Sequence, residues 1–253
     1  MKLLISRLSI AVAGLASLLM FTWPLFITSK IASEAALAQA VFIVLMPLVL
    51  ILVLVEFSSG DIGAKQLALL GVLIALNAVI RMLGAGTAGI ETAFFLVILG
   101  AFVFGSGFGF ILGASSIFVS ALLTGGIGPW LPFQMMGVGL VGLGAGLIPK
   151  FTRSWQQKTS LGVYAVISSF VYGSLMTMWN WPFLAGTGTQ LSYVAGDPII
   201  SNLTRFFQYE LITGGFFWDF GRALTTSVLI LLTSQSLLAT LNRAASKAGV
   251  RRG

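Results

Sequence analysis

Glycine-rich, almost charge-free helical segments fill most of this chain, and they meet at a central turn and helix start reading Thr124-Gly-Gly-Ile-Gly-Pro-Trp-Leu-Pro-Phe-Gln-Met135. Long apolar runs interrupted by glycine restrict a chain to helices packed closely inside a membrane. Of 253 residues, 57% are hydrophobic and 8% are charged, whereas soluble domains carry about 25% charged residues. A chain so poor in charge cannot cover its own surface in water. Cysteine and histidine are absent, which excludes disulfides, thiol chemistry and His/Cys metal sites. The seven acidic residues are too scattered for a carboxylate metal cluster. No metal and no cofactor is therefore expected.

A bilayer-spanning helix needs roughly 20 apolar residues. Eight candidate spans fall at 7–28, 36–57, 64–83, 90–105, 107–124, 129–148, 159–183 and 212–240. The fourth and fifth are separated only by Gly105-Ser-Gly107. The fold class expected is thus an all-α polytopic membrane protein.

Lysine and arginine set the orientation, because cytoplasmic loops carry the excess. With the N-terminus inside, eight spans place Lys2, Arg7, Lys65, Lys150, Arg153, Lys158, Arg243, Lys247, Arg251 and Arg252 in the cytoplasm. Lys30, Arg81, Arg205 and Arg222 fall at the outer side, ten against four. Both termini are expected in the cytoplasm. The positive charge is read as topology, and no nucleic-acid partner is expected. The first span also has a signal-peptide reading, with a small-residue site at Ala36-Leu-Ala38. Its apolar run continues through Trp23-Pro24-Leu25-Phe26, which favours an uncleaved helix. Of the outer loops, 84–89 and 125–128 are short, and 184–211 is long enough to read as a lid docked over a site.

Two patterns carry mechanism. The third span sets Ala64, Ala68, Gly71, Ala75 and Ala78 three or four apart on one face. Small residues let helix backbones approach closely where lipid removes the hydrophobic drive. Such a stripe serves either packing within the chain or docking to another subunit. Gly105, Gly109 and Gly113 in the fifth span, and Gly139, Gly142 and Gly146 in the sixth, read as packing within the chain.

The second pattern is a gathering of polar and aromatic residues at one membrane end. It comprises Asn77 and Arg81, Glu91, Trp130 and Gln134, Trp179 and Asn180, and Asp219 and Arg222. Ionisable groups in a membrane face a bundle interior or a wet cavity, and a few polar groups among aromatic walls suit a small molecule. The alternative is an interfacial aromatic belt with structural ion pairs. Asp219 and Arg222 are three apart and can pair; Arg81 and Glu91 flank one short loop and can pair too. No phosphate-binding loop, no inverted repeat of broken helices and no acidic relay is visible. No catalytic residue and no enzyme activity is expected.

Glu91-Thr-Ala-Phe-Phe-Leu-Val-Ile-Leu-Gly100, Phe104-Gly-Ser-Gly-Phe-Gly-Phe-Ile-Leu-Gly113 and Thr124 to Met135 resemble the substrate-binding S components of energy-coupling factor (ECF) vitamin transporters. Tyr172-Gly-Ser-Leu-Met-Thr-Met-Trp-Asn-Trp-Pro-Phe183 and Trp218-Asp-Phe-Gly-Arg-Ala223 look like the same family. The resemblance implies a six-helix core, here 61–242, preceded by two extra N-terminal transmembrane helices in 1–60 and followed by a basic cytoplasmic tail, 243–253. It implies a multi-pass subunit of a prokaryotic cytoplasmic membrane that captures a vitamin or related micronutrient at its outer face. The implied partners are a transmembrane coupling protein, docked on Ala64, Ala68, Gly71, Ala75 and Ala78, and two ATP-binding cassette (ABC) ATPases. The Gly-Pro-Trp stretch and the long last outer loop look most like S components assigned to cobalamin and related corrinoids. A stand-alone secondary transporter of a small organic solute stays open beside this reading.

Overall fold

The computed structural model describes residues 63–84, 89–184, 190–194 and 196–249, together with 11, 12, 14, 15, 17–25, 44, 47–49, 51 and 53. Lys2, Arg7, Lys30, the Ala36–Ala38 site, Arg251, Arg252 and most of the 1–60 segment lie outside the described residues, as do the middle of the 84–89 loop and residues 185–189.

Seven helices follow Gly63: α1 (Ala64–Gly84), α2 (Ala93–Phe104), α3 (Ser106–Thr124), α4 (Leu131–Ala145), α5 (Ser154–Leu184), α6 (Ile199–Thr213) and α7 (Gly215–Lys247). The described residues are all-helical apart from turns and short connections. Among the described residues, four helices are long and apolar enough to cross a bilayer: α1, α3, α5 over Ser154–Pro182, and α7. The spans expected at 90–105 and 129–148 are shorter apolar helices, α2 and α4. Gly105, at φ +99°, ends α2 and starts α3 in a conformation that glycine adopts most readily. Pro132 opens α4, where a missing N–H costs nothing. The last two spans run further than hydropathy suggested. Arg243 and Lys247 belong to α7, so the basic tail begins as helix. At 1.5 Å per residue α7 is about 50 Å long, well beyond the roughly 30 Å hydrocarbon core.

The largest departure falls in 184–211, expected as a loop. It contains α6, fifteen residues, with Asn202, Phe206 and Glu210 buried at i, i+4 and i+8. Hydropathy misses this helix because its buried face is partly polar. Trp181 of α5 is fully buried and packs edge-on against Phe206 and Tyr193, with centroids 5.5 and 5.6 Å away. Its indole N–H donates to the Leu191 carbonyl at 3.0 Å. Asn202 closes the turn by bonding both backbone groups of Val194, and Arg205 pairs with Asp197.

The bundle centres on α2, whose residues from Ala93 to Val103 are all buried. It packs against α1, α3, α4, α5 and α7. Antiparallel α3 and α4 touch backbone to backbone. A Cβ on Gly142 would lie 2.0 Å from the Gly109 oxygen, and one on Gly113 would lie 2.4 Å from the Val138 oxygen. Described N-terminal residues pack on this core: Phe21, Val49 and Val53 are buried in it, and Phe21 meets Phe133 at 5.7 Å.

Candidate substrate-binding site

The polar end of the bundle has two charged centres. In the first, Arg81 of α1 donates to the Ser120 hydroxyl of α3 at 3.1 Å and to Gln134 Oε1 of α4 at 3.4 Å. The expected Arg81–Glu91 pair does not form. The ion pairs among the described residues are Arg205–Asp197 and Arg222–Asp219. Glu91 instead turns back on its own helix start, where Oε1 accepts from the Ala93 N–H at 3.3 Å, as carboxylates do at helix N-termini.

The second centre does follow the i, i+3 spacing. Arg222 Nη1 donates to Asp219 Oδ1 at 2.6 Å and to the Ser169 carbonyl at 3.2 Å. Its guanidinium lies over the rings of Tyr172 at 4.8 Å and Phe94 at 5.8 Å, within range for cation–π attraction. Those two rings meet edge to face at 5.0 Å. Gly173 makes room for the pair, since a Cβ there would lie 1.7 Å from Asp219 Oδ1.

The 184–211 segment brings a residue that the sequence reading did not single out. Glu210 of α6 is buried, and its Oε1 has no hydrogen-bond partner among the described residues. A Cβ on Gly215 would lie 2.4 Å from its Oε2. Burial pushes this carboxyl above the usual carboxylate range, against the opposing effects of a Thr177 hydrogen bond and the Arg222 charge. Tyr172 was missed as well; it lies seven residues before Trp179 on the same helix, a spacing that places both on one face. A lone acid in an expected loop offered no such signal.

The other expected residues fall in different places. Trp179 is buried and stacked on Phe133 at 3.9 Å and 8°, and its carbonyl accepts from Trp23 Nε1 at 3.1 Å. It belongs to the hydrophobic core. Asn77 is fully buried. Trp130 is 46% exposed, with its ring folded over Gly128, and takes no part in either charged centre. Asn180 is half-buried beside Trp179. On α1, Ala64, Ala68, Gly71 and Ala75 are exposed, while Ala78 is fully buried. The small-residue stripe is therefore open toward the N-terminal end of α1 and covered toward its C-terminal end.

Several buried polar atoms have no partner among the described residues: both amide atoms of Asn77, Trp179 Nε1, Glu210 Oε1 and Arg222 Nε, and, further along α7, Thr226 Oγ1, Ser227 Oγ and Ser234 Oγ. An unsatisfied buried donor or acceptor costs about 1–3 kcal/mol. Folded proteins retain few of them, and each calls for an explanation such as an ion, a water or a functional role.

A bundle with spanning helices and charged, aromatic groups gathered at one end defines a multi-pass membrane protein. Residues 65–240 match the family described as ECF transporter, substrate-specific component, and the chain belongs to that family. It is a transporter subunit, not an enzyme, and the family implies ECF module partners and a small substrate. Comparison with curated proteins and with solved structures gave no match.

Proposed function

We propose that the end of the bundle holding Arg81, Glu91, Gln134, Tyr172, Glu210, Asp219 and Arg222 is the outward-facing capture site for a vitamin or related micronutrient. The observation that carries this is the set of buried, unpartnered polar atoms on α1, α5, α6 and α7. A polar ligand, or the water it displaces, supplies the missing partners and offsets their cost. The Asp219–Arg222 pair holds the guanidinium in place, leaving Nε for the ligand. Helix α6 covers the site and brings Glu210 to it.

In this reading both termini are cytoplasmic, and the open stripe of Ala64, Ala68, Gly71 and Ala75 docks a transmembrane coupling protein driven by two ABC ATPases. Ala78, buried within the chain, lies outside that docking surface. The cargo tested first is a corrinoid, on the likeness of the Gly-Pro-Trp stretch and the long last outer segment. The amides of Asn77 and Gln134 suit its amide-rich rim, and they suit thiamine, folate or queuosine-type ligands as well.

The test is titration of the purified full chain with cobalamin, thiamine, folate and queuine, followed by tryptophan fluorescence. Saturable binding of one of them supports the reading; binding of none overturns the capture site. Single cysteines at 155 and 190 of this cysteine-free chain report orientation. An impermeant thiol reagent on intact cells should reach 190 and not 155, and the reverse would overturn the topology.

A further inference from the structure

The outer surface of α6 is built the wrong way round for water. Its charged residues, Arg205 and Glu210, lie on the covered side with Asn202. The opposite side carries Ile200, Thr204, Phe207 and Leu211, which at 100° per residue form one stripe. Ile200 is 79% exposed, Phe207 59% and Leu211 62%. No charge interrupts the stripe; Gln208 flanks it. Only Gly214, at φ +84°, separates α6 from α7, and the patch continues there through Phe216, Phe217, Trp218 and Phe220, all exposed. Contiguous exposed apolar surface of this extent marks contact with a membrane or a partner.

Two observations select lipid. Within the stripe, the Thr204 hydroxyl donates to its own helix at the Ile200 carbonyl, 2.9 Å away, and Thr213 does the same to Tyr209 at 2.7 Å. On the spanning helix α7, two partly exposed hydroxyls do the same: Thr225 bonds Gly221 and Thr233 bonds Leu229. Polar groups facing hydrocarbon have to be satisfied internally. The second observation is continuity, because the stripe extends an exposed aromatic start of a helix that is itself long and apolar enough to cross the bilayer. Phenylalanine and tryptophan on the apolar side are the pattern of a helix lying in the interface.

We infer that α6 is an interfacial helix whose Ile200–Phe207–Leu211 stripe is immersed in the bilayer leaflet at the polar end of the bundle. A helix expected in an extramembrane loop is then a lipid-seated cover, floored by Trp181 and Phe206 and carrying Glu210 on its inner face. Its packing onto the bundle is slight, with Met178, Trp181 and Phe206 as the buried core, and the leaflet supplies the remaining support.

The test uses the full chain, reconstituted in bilayers, with an environment-sensitive fluorophore on single cysteines: Ile200→Cys, Phe207→Cys, Leu211→Cys, and Gln190→Cys as the aqueous reference. Phospholipids brominated on the acyl chains should quench the three stripe positions several-fold more strongly than position 190, and aqueous iodide should show the opposite order. Iodide quenching of all four positions alike would overturn the inference. So would stripe positions shielded from both quenchers, which would mean that another part of this chain or a second copy covers them. The readout needs no substrate, so it stands apart from the capture site.

Discussion

Helices α1 and α2 are consecutive and both strongly apolar, yet they do opposite things. In α2 every residue from Ala93 to Val103 is buried by five neighbouring helices. In α1 the buried residues are Leu70, Leu73, Asn77, Ala78 and Gly84, and the small residues from Ala64 to Ala75 face outward. Hydropathy cannot separate these roles, since lipid and protein interior are equally apolar. Side-chain size can. Phe94, Phe95 and Phe102 give α2 bulk to fill a centre, whereas α1 keeps alanine and glycine at positions that stay exposed among the described residues. A Cβ on Gly71 would touch nothing within 4 Å, while one on Gly100 would lie 2.8 Å from Leu112. Glycine inside the bundle is a fit; glycine on α1 is an open surface kept smooth.

Substitutions should break this contrast in a graded way. The largest effect is expected at the α3–α4 contact. In Gly142→Leu a side chain meets the Gly109 backbone, which cannot move aside as a flexible side chain would. The cost should exceed the about 1–3 kcal/mol of ordinary overpacking, and size-exclusion chromatography should show no monodisperse protein. Next comes Arg222→Ala, which strands the buried Asp219 carboxylate at about 3–5 kcal/mol. Thermal unfolding in detergent should show a large loss, much of it recovered by the double variant with Asp219→Asn. An unrecovered double variant would mean that Arg222 supports the fold through Tyr172 and Phe94 instead.

A smaller and more telling effect is expected at Asn77→Leu. Both amide atoms lack partners, so an apolar side chain of similar size should leave unfolding unchanged or slightly later. Ligand affinity should fall about 2- to 10-fold, the value of one hydrogen bond. Destabilisation without loss of affinity would assign Asn77 to structure. The smallest effect on stability is expected at Gly71→Leu, within about 0.5 kcal/mol as for other surface changes. Ligand binding to the isolated chain should persist while uptake by cells is lost. Normal uptake in this variant would remove α1 as the docking surface.

How much of this was legible in the sequence follows the same division. Four long apolar spans and the Asp219–Arg222 pair were readable, because hydropathy and helical spacing encode them directly. The Arg81–Glu91 pair was not realised. Each group found another partner, Ser120 of α3 and Gln134 of α4 for Arg81 and the Ala93 N–H for Glu91. Trp130 and Trp179, alike in sequence, ended on the surface and in the core, since only tertiary packing decides which aromatic finds a stacking partner. Helix α6 escaped notice for a physical reason. Ile200, Phe207 and Leu211 face away from the protein while Asn202 and Glu210 are buried beside Phe206, so its pattern misleads any reading that expects apolar residues inside and polar ones outside.

The claim that unites these observations is that the chain captures substrate but is energised by others. Affinity purification of the full chain from its native membranes in mild detergent, with the co-eluting proteins identified by mass spectrometry, tests it most directly. The account predicts a coupling protein and a pair of ABC ATPases with the wild type, and their loss with Gly71→Leu. A wild-type chain that elutes alone, from cells whose uptake survives ATP depletion and collapses with the proton gradient, would contradict it and leave a stand-alone secondary transporter.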